Sequence, residues 1–204
     1  VPRSDASRDD AAASVTPEGR ILLESFPTGL PNPAITLWCR KDFPPAVRVS
    51  FDLLAHDVEG RNILFLAAAG VGGEDILTWT RSATWDCYAH QGRMRAYSIS
   101  FSRDVSGQSG LRKLWAPQGP VARKEDRCPL LSLRDCACGE AGVTYHFEAV
   151  KEGPRVRFWA DGRLIHDCVD DGRLGPPLGG GKIALRNFAR PKRAEFWNVR
   201  VAEP

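Results

Sequence analysis

The sequence has no apolar run close to the ~20 residues a helix needs to cross a bilayer. Its longest, Ile63 to Val71, has the length of a strand. It also lacks an excess of charge of one sign: 28 basic and 25 acidic residues are mixed along the chain and leave a net +3. Nucleic-acid binders gather basic charge into a patch or stripe, so neither a membrane nor a nucleic acid is an expected partner. A Gly-x-Ser-x-Gly elbow is missing, which disfavours a serine hydrolase. Asp104–Gly110 has the composition of a phosphate loop without its Lys-Ser/Thr ending or following helix, and reads as a flexible loop at a groove edge. The first residues of the sequence do not form an apolar signal segment, which leaves localisation open between secreted and cytoplasmic.

The 204 residues, 43% of them apolar and 26% charged, suit one globular domain with a sizeable core. Residues 1–19 carry no hydrophobic period and read as a flexible lead-in, with the single domain spanning 20–204. Within it, 19 Gly and 15 Pro punctuate short apolar blocks. The expected strands are Arg20–Phe26, Ala34–Arg40, Ala46–Leu54, Asn62–Ala69, Arg93–Arg103, Thr144–Val150, Arg155–Ala160, Arg163–Cys168, Gly181–Phe188 and Ala194–Val201. Without a convincing amphipathic helix of about 12 residues beside them, strands of this number must bury one face of each sheet against another, so the reading is an all-β antiparallel sandwich.

Alternation assigns faces. Val47, Val49, Phe51 and Leu53 oppose Arg48, Ser50 and Asp52; Tyr145, Phe147 and Ala149 oppose Thr144, His146 and Glu148; Val156 and Phe158 oppose Arg155, Arg157 and Trp159. Asp161-Gly162 between Trp159-Ala160 and Leu164-Ile165 supplies the positive φ angles of a tight hairpin. Six cysteines, Cys39, Cys87, Cys128, Cys136, Cys138 and Cys168, leave disulfides, free thiols and zinc open. The Cys128-x7-Cys136-x-Cys138 cluster suits local bridging.

Four stretches in order, Tyr145–Glu148, Arg157–Arg163, Gly181–Asn187 and Phe196–Val201, resemble the closing strands of concanavalin A-like lectin/glucanase jelly rolls. Trp38-Cys39-Arg40, Asn62–Phe65, Arg95–Ser98 and Leu111–Lys113 narrow the resemblance to the bacterial YesU-like family, a domain of unknown function found near polysaccharide-degradation genes. The resemblance covers Arg20 to Val201 and implies a jelly roll, with an oligosaccharide or polysaccharide as partner in a groove on the concave sheet. Calcium is the metal it allows, with Asp161, Asp167, Asp170 and Asp171 as available oxygens; the same carboxylates are common in soluble hairpins.

Retaining hydrolases of this fold carry Glu-x-Asp-x-x-Glu, which sets two carboxylates about 5–5.5 Å apart; the chain has no such motif. A polysaccharide lyase instead needs a Tyr or His base beside a uronate carboxylate, and Arg, Asn or Gln to neutralise that carboxylate. Arg93, Arg95, Tyr97 and Arg103 share one side of a strand, and His146 and Glu148 share another. The expected catalytic set is therefore His146, Glu148, Tyr97 and Arg95. Sugar rings stack on aromatic faces, so Trp79, Trp85, His90, Arg157, Trp159, Arg186 and His56 are the expected substrate contacts. The expected function is therefore cleavage of the bound glycan by an unorthodox lyase or hydrolase; the alternatives are a lectin-like module without chemistry and a structural jelly roll.

Overall fold

The computed structural model describes residues 3–4, 11–26, 34–79, 93–101, 107–115, 128–136, 138, 140–188 and 192–204. Fourteen strands follow in chain order: β1 (Arg3–Ser4), β2 (Ala11–Val15), β3 (Ile21–Ser25), β4 (Ala34–Trp38), β5 (Ala46–Ala55), β6 (Arg61–Gly70), β7 (Met94–Phe101), β8 (Gln108–Leu114), β9 (Leu130–Asp135), β10 (Thr144–Glu152), β11 (Arg155–Ala160), β12 (Arg163–Val169), β13 (Lys182–Phe188) and β14 (Lys192–Ala202). A 3-10 turn, Ile76–Thr78, follows β6. They form two seven-stranded antiparallel sheets. Sheet I runs β1-β4-β13-β6-β7-β8-β9 and sheet II runs β12-β11-β10-β5-β14-β3-β2. This is the expected jelly-roll sandwich.

The principal core lies between the sheets. Phe51, Phe101, Phe147, Phe158 and Phe196 are fully buried there, with neighbouring ring centroids 4.6–6.0 Å apart. They come from β5, β7, β10, β11 and β14, so each supplies the apolar half of an alternating strand. The faces read for β5, β10 and β11 are the observed ones. Asp161 and Gly162 take φ of 47° and 75° and close the β11–β12 hairpin.

Three local readings change. Ala11–Val15, assigned by sequence to the lead-in, pairs along β3 as the edge strand of sheet II. Gln108–Gly110, read as loop, begins β8, held by pairing to both β7 and β9. On β7 the side carrying Tyr97 is not polar: Ile99 and Phe101 share its parity and place it in the inter-sheet core. Arg103 lies outside the described residues.

A second apolar cluster sits on the outer face of sheet I. Trp38, Ile63, Phe65, Met94, Ala96, Leu114 and Ala184 are buried there, and Ile76 and Leu77 of the 3-10 turn pack on it. The Trp38 and Phe65 rings stack at 5.5 Å between centroids. A sheet face open to water normally carries polar residues; this one is buried, and Ser98 and Arg186 are buried on it too.

Where β9 and β12 meet, His166 is fully buried between Ser109 and Ser132, both 2.9 Å from its ring nitrogens. The Ser109 hydroxyl donates to the Ser100 carbonyl, so Nε2–H donates to Ser109 and Nδ1 accepts from Ser132, the neutral tautomer. Burial, and secondarily Arg134, push its pKa down to about 4. The unfolded chain protonates near 6.5 and the folded one near 4, so stability is complete above pH 6.5 and is lost as pH falls between them. Urea titrations from pH 6.5 to 4 should show His166→Gln losing a slope of about 1.4 kcal/mol per pH unit. An unchanged slope would mean that the imidazole is charged when folded.

Candidate functional site

The structure distributes the expected site residues over three places. His146, Glu148, Arg157, Trp159 and His56 go to the outer face of sheet II or its rim. Tyr97 and Arg95 lie between the sheets at one end of the sandwich. Trp79 and Arg186 belong to the outer face of sheet I. Trp85 and His90 lie outside the described residues, as does Cys87. The four residues expected to act together in catalysis are therefore not one constellation.

The outer face of sheet II is solvated and largely self-paired. The His146 Nδ1–H donates to Asp52 Oδ1 at 2.6 Å, and Asn198 Nδ2 donates to Asp52 Oδ2 at 2.6 Å. Asn198 reaches Asp52 from a bulge in β14, where its φ is 51°; asparagine tolerates this left-handed geometry better than most residues. Burial pushes the Asp52 carboxyl up, but hydrogen bonds from His146 and Asn198, with the charges of His146 and Arg200, outweigh it and hold the pKa below the usual carboxylate range. Glu148 pairs with Arg48 at 3.6 Å. Arg157 pairs with Glu152 and lies 5.5 Å from the Trp159 ring. His56 and Arg20 both bind Glu195, at 2.8 and 3.0 Å, with Arg20 also over Trp197.

Tyr97 is fully buried, and its hydroxyl donates to Asp170 while accepting from the Leu178 backbone N–H. Burial first, then the Asp170 hydrogen bond, raise its pKa far above the usual phenol range. A phenol so held favours its protonated form. The carboxylates considered for calcium are each engaged separately: Asp161 accepts from the His146 N–H, Asp167 from Arg155, Asp170 from Tyr97, and Asp171 pairs with Arg173. Among the described residues no three His, Cys, Asp or Glu side chains gather as metal ligands. Cys136 and Cys138 form a disulfide, while Cys39 and Cys168 are free thiols.

The outer face of sheet I differs in its electrostatics. Pairing sets Arg186 of β13 in one row with Ile63 of β6 and Ser100 of β7. The next row holds Trp38, Ala184, Phe65, Ser98 and Arg112. Arg186 is 1% exposed; its Nε and Nη1 have no hydrogen-bond partner, and its guanidinium lies 4.7 Å from the Phe188 ring. Lys182, on the same strand, contrasts with it: its ammonium is matched by Asp42 at 3.2 Å and Asp75 at 3.3 Å. Arg112 donates to the Cys128 carbonyl. Arg93 enters from the start of β7, its guanidinium 4.7 Å over the Trp79 ring. Arg93, Arg112 and Arg186 form no ion pair among the described residues. Burying a cation without a counter-charge costs several kcal/mol.

Sequence reasoning singled out Arg186 and Trp79 here, but not Arg93, Arg112, Ser98 or Ser100 as site residues. Parity with Met94 and Ala96 was the available signal for the serines, and parity with Leu114 for Arg112.

Two antiparallel seven-stranded sheets packed face to face define a galectin-like sandwich. A protein of unknown function with a galectin-like fold from Bacillus subtilis superposes on it with a TM-score of 0.78 at 22% identity, over 99% of this chain and 89% of that one. The carbohydrate-binding module CBM66 from Bacillus subtilis gives 0.60 at 15% identity, covering 95% and 92%. Residues 9–201 match the domain of unknown function DUF1961, and the chain belongs to that family. The uncharacterized protein YesU of Bacillus subtilis (strain 168) is 32% identical over 171 residues, 80% of this chain and 74% of that protein.

Proposed function

We propose that this protein is a carbohydrate-binding module for acidic glycans, which it holds across the outer face of sheet I. The observation that carries this reading is Arg186, a buried cation with no counter-charge among the described residues, on a face where Arg93 and Arg112 also form no ion pair among them. Arg186 and Arg112 are three strands apart and one row offset. At ~4.8 Å per strand and ~6.8 Å per two residues, their backbones are about 16 Å apart, the span of a short oligosaccharide. Ile63, Phe65 and Ser98 lie buried in the rows between them, and Ser100 is half-buried. A carboxylate accepting the fork of Arg186 supplies the missing partners with the geometry guanidinium favours. The fold of a carbohydrate-binding module and that of a galectin-like protein support the same class of ligand.

Cleavage receives less support, because His146 and its orienting Asp52 are on the opposite sheet from Arg186. Affinity electrophoresis through polygalacturonate, alginate and neutral glucan gels tests the reading. Retardation by the acidic polymers is expected, without new absorbance near 235 nm. His146→Ala should match the parent within twofold. Equal retardation in neutral gels, or loss of retardation in His146→Ala, would contradict the assignment to sheet I.

A further inference from the structure

A second cationic centre lies away from that face, at the end of the sandwich where Tyr97 and Arg95 were found. Lys113 of β8 is fully buried, and its ammonium meets Asp170 at 2.7 Å and the Gly175 and Pro176 carbonyls at 2.7 and 3.0 Å. Lys151 of β10, also fully buried, donates to the Pro45 carbonyl and lies 6.0 Å from the Tyr97 ring. Arg95 of β7 is half-buried, and its Nε donates to the Gly70 carbonyl without forming an ion pair among the described residues. Of these three cations Lys113 pairs with Asp170, whose charge also acts on Lys151.

Beside them is a cavity of about 270 Å³ lined by Arg95, Trp115, Gly72, Pro176, Pro177 and Leu178, among others. It has one cation, one indole and a wall of proline and leucine. The Asp170–Lys113 ion pair and the Tyr97 hydroxyl fasten the 170–178 connection that forms one side. Gly175 permits this arrangement: its φ is +88°, and a Cβ there would stand 2.2 Å from Trp115 Nε1.

We infer that this cavity is an anion-binding pocket for a carboxylate-bearing ligand of monosaccharide size, with the carboxylate on Arg95 and the ring against Trp115. The inference does not depend on the sheet I site. Lys151 gives the pocket a proton signature. Burial, and then the Arg95 charge, lower its pKa to about 8, while Asp170 acts in the opposite sense. The charged groups facing it are Arg95 and Asp170; Tyr97 is neutral, Lys113 is bound to Asp170, and its strand neighbours Val47 and Val156 are apolar. An anion on Arg95 offsets the charge that opposes protonation of Lys151, so binding near pH 8 takes up a proton.

Calorimetry with D-glucuronate, D-glucose and inorganic phosphate, in buffers of different ionisation enthalpy, reads both affinity and proton uptake. Glucuronate should bind with uptake near pH 8, glucose should not, and Arg95→Gln should weaken binding at least tenfold. Trp115→Phe should keep the uptake but weaken glucuronate severalfold. Arg186→Gln should leave the pocket unchanged, which separates its failure from that of the sheet I site. Equal binding of glucose and glucuronate, full affinity in Arg95→Gln, or binding of phosphate but not glucuronate would each overturn the inference.

Discussion

Replacing Arg186 by Met should raise the stability of the free protein by about 1–3 kcal/mol and lower its affinity for an acidic glycan at least 30-fold. Both signs follow from one fact. The guanidinium is 1% exposed, its Nε and Nη1 are unpartnered, and no carboxylate pairs with it among the described residues. Exchanging an unsatisfied buried polar group for an apolar one of similar reach removes a desolvation cost. The same exchange deletes the charged partner of a bound carboxylate, a loss worth about 2–5 kcal/mol in comparable buried pairs. Urea unfolding and calorimetry on one preparation measure both quantities. A residue kept for packing alone would lose stability and leave affinity unchanged. Opposed changes are the mark of a group retained for binding at the expense of stability.

Asp170→Ala should destabilise the protein by about 3–5 kcal/mol, the cost of leaving a buried cation without its partner. Asp170 is 3% exposed, Lys113 is fully buried, and Tyr97 donates to the same carboxylate oxygen that receives the ammonium. Removing the carboxylate leaves both donors without it and frees the 170–178 connection on one side of the cavity. The double variant Lys113→Met/Asp170→Leu removes the charge with its partner, and should recover most of the loss. Failure of the double variant to recover, with the single variant near the parent, would show that Lys113 is satisfied by the Gly175 and Pro176 carbonyls alone.

The fold was largely legible because alternation survives in strands with one wet face. β5, β10 and β11 bury every second residue, and their inward sets were readable from period two. β13 is buried on both faces along almost its whole length. Arg186 could thus be named from its type, but not assigned a direction. β8 opens with Gln108-Ser109-Gly110, a loop-like composition that pairing with β7 and β9 overrides. β9 is mostly exposed and has no clear alternation to detect. On β7, Arg95 and Tyr97 suggested a polar side, although Ile99 and Phe101 at the same parity marked it as core. His146 was rightly read as outward, and its partner Asp52 is directly across the β5–β10 pair. The convergence of Arg95, Lys113, Lys151 and Asp170 had no local signal, because it depends on three strands from both sheets and the connection after β12.

The central claim is that the outer face of sheet I recognises negative charge on a sugar. Calorimetric titration of the unmodified protein with one oligogalacturonate, and with the same oligomer after reduction of its carboxylates to alcohols, tests this most directly. The acidic oligomer should bind at least 30-fold more tightly, and the difference should disappear in Arg186→Gln. Equal affinity for the two oligomers, or a preference that survives in Arg186→Gln, would contradict that claim.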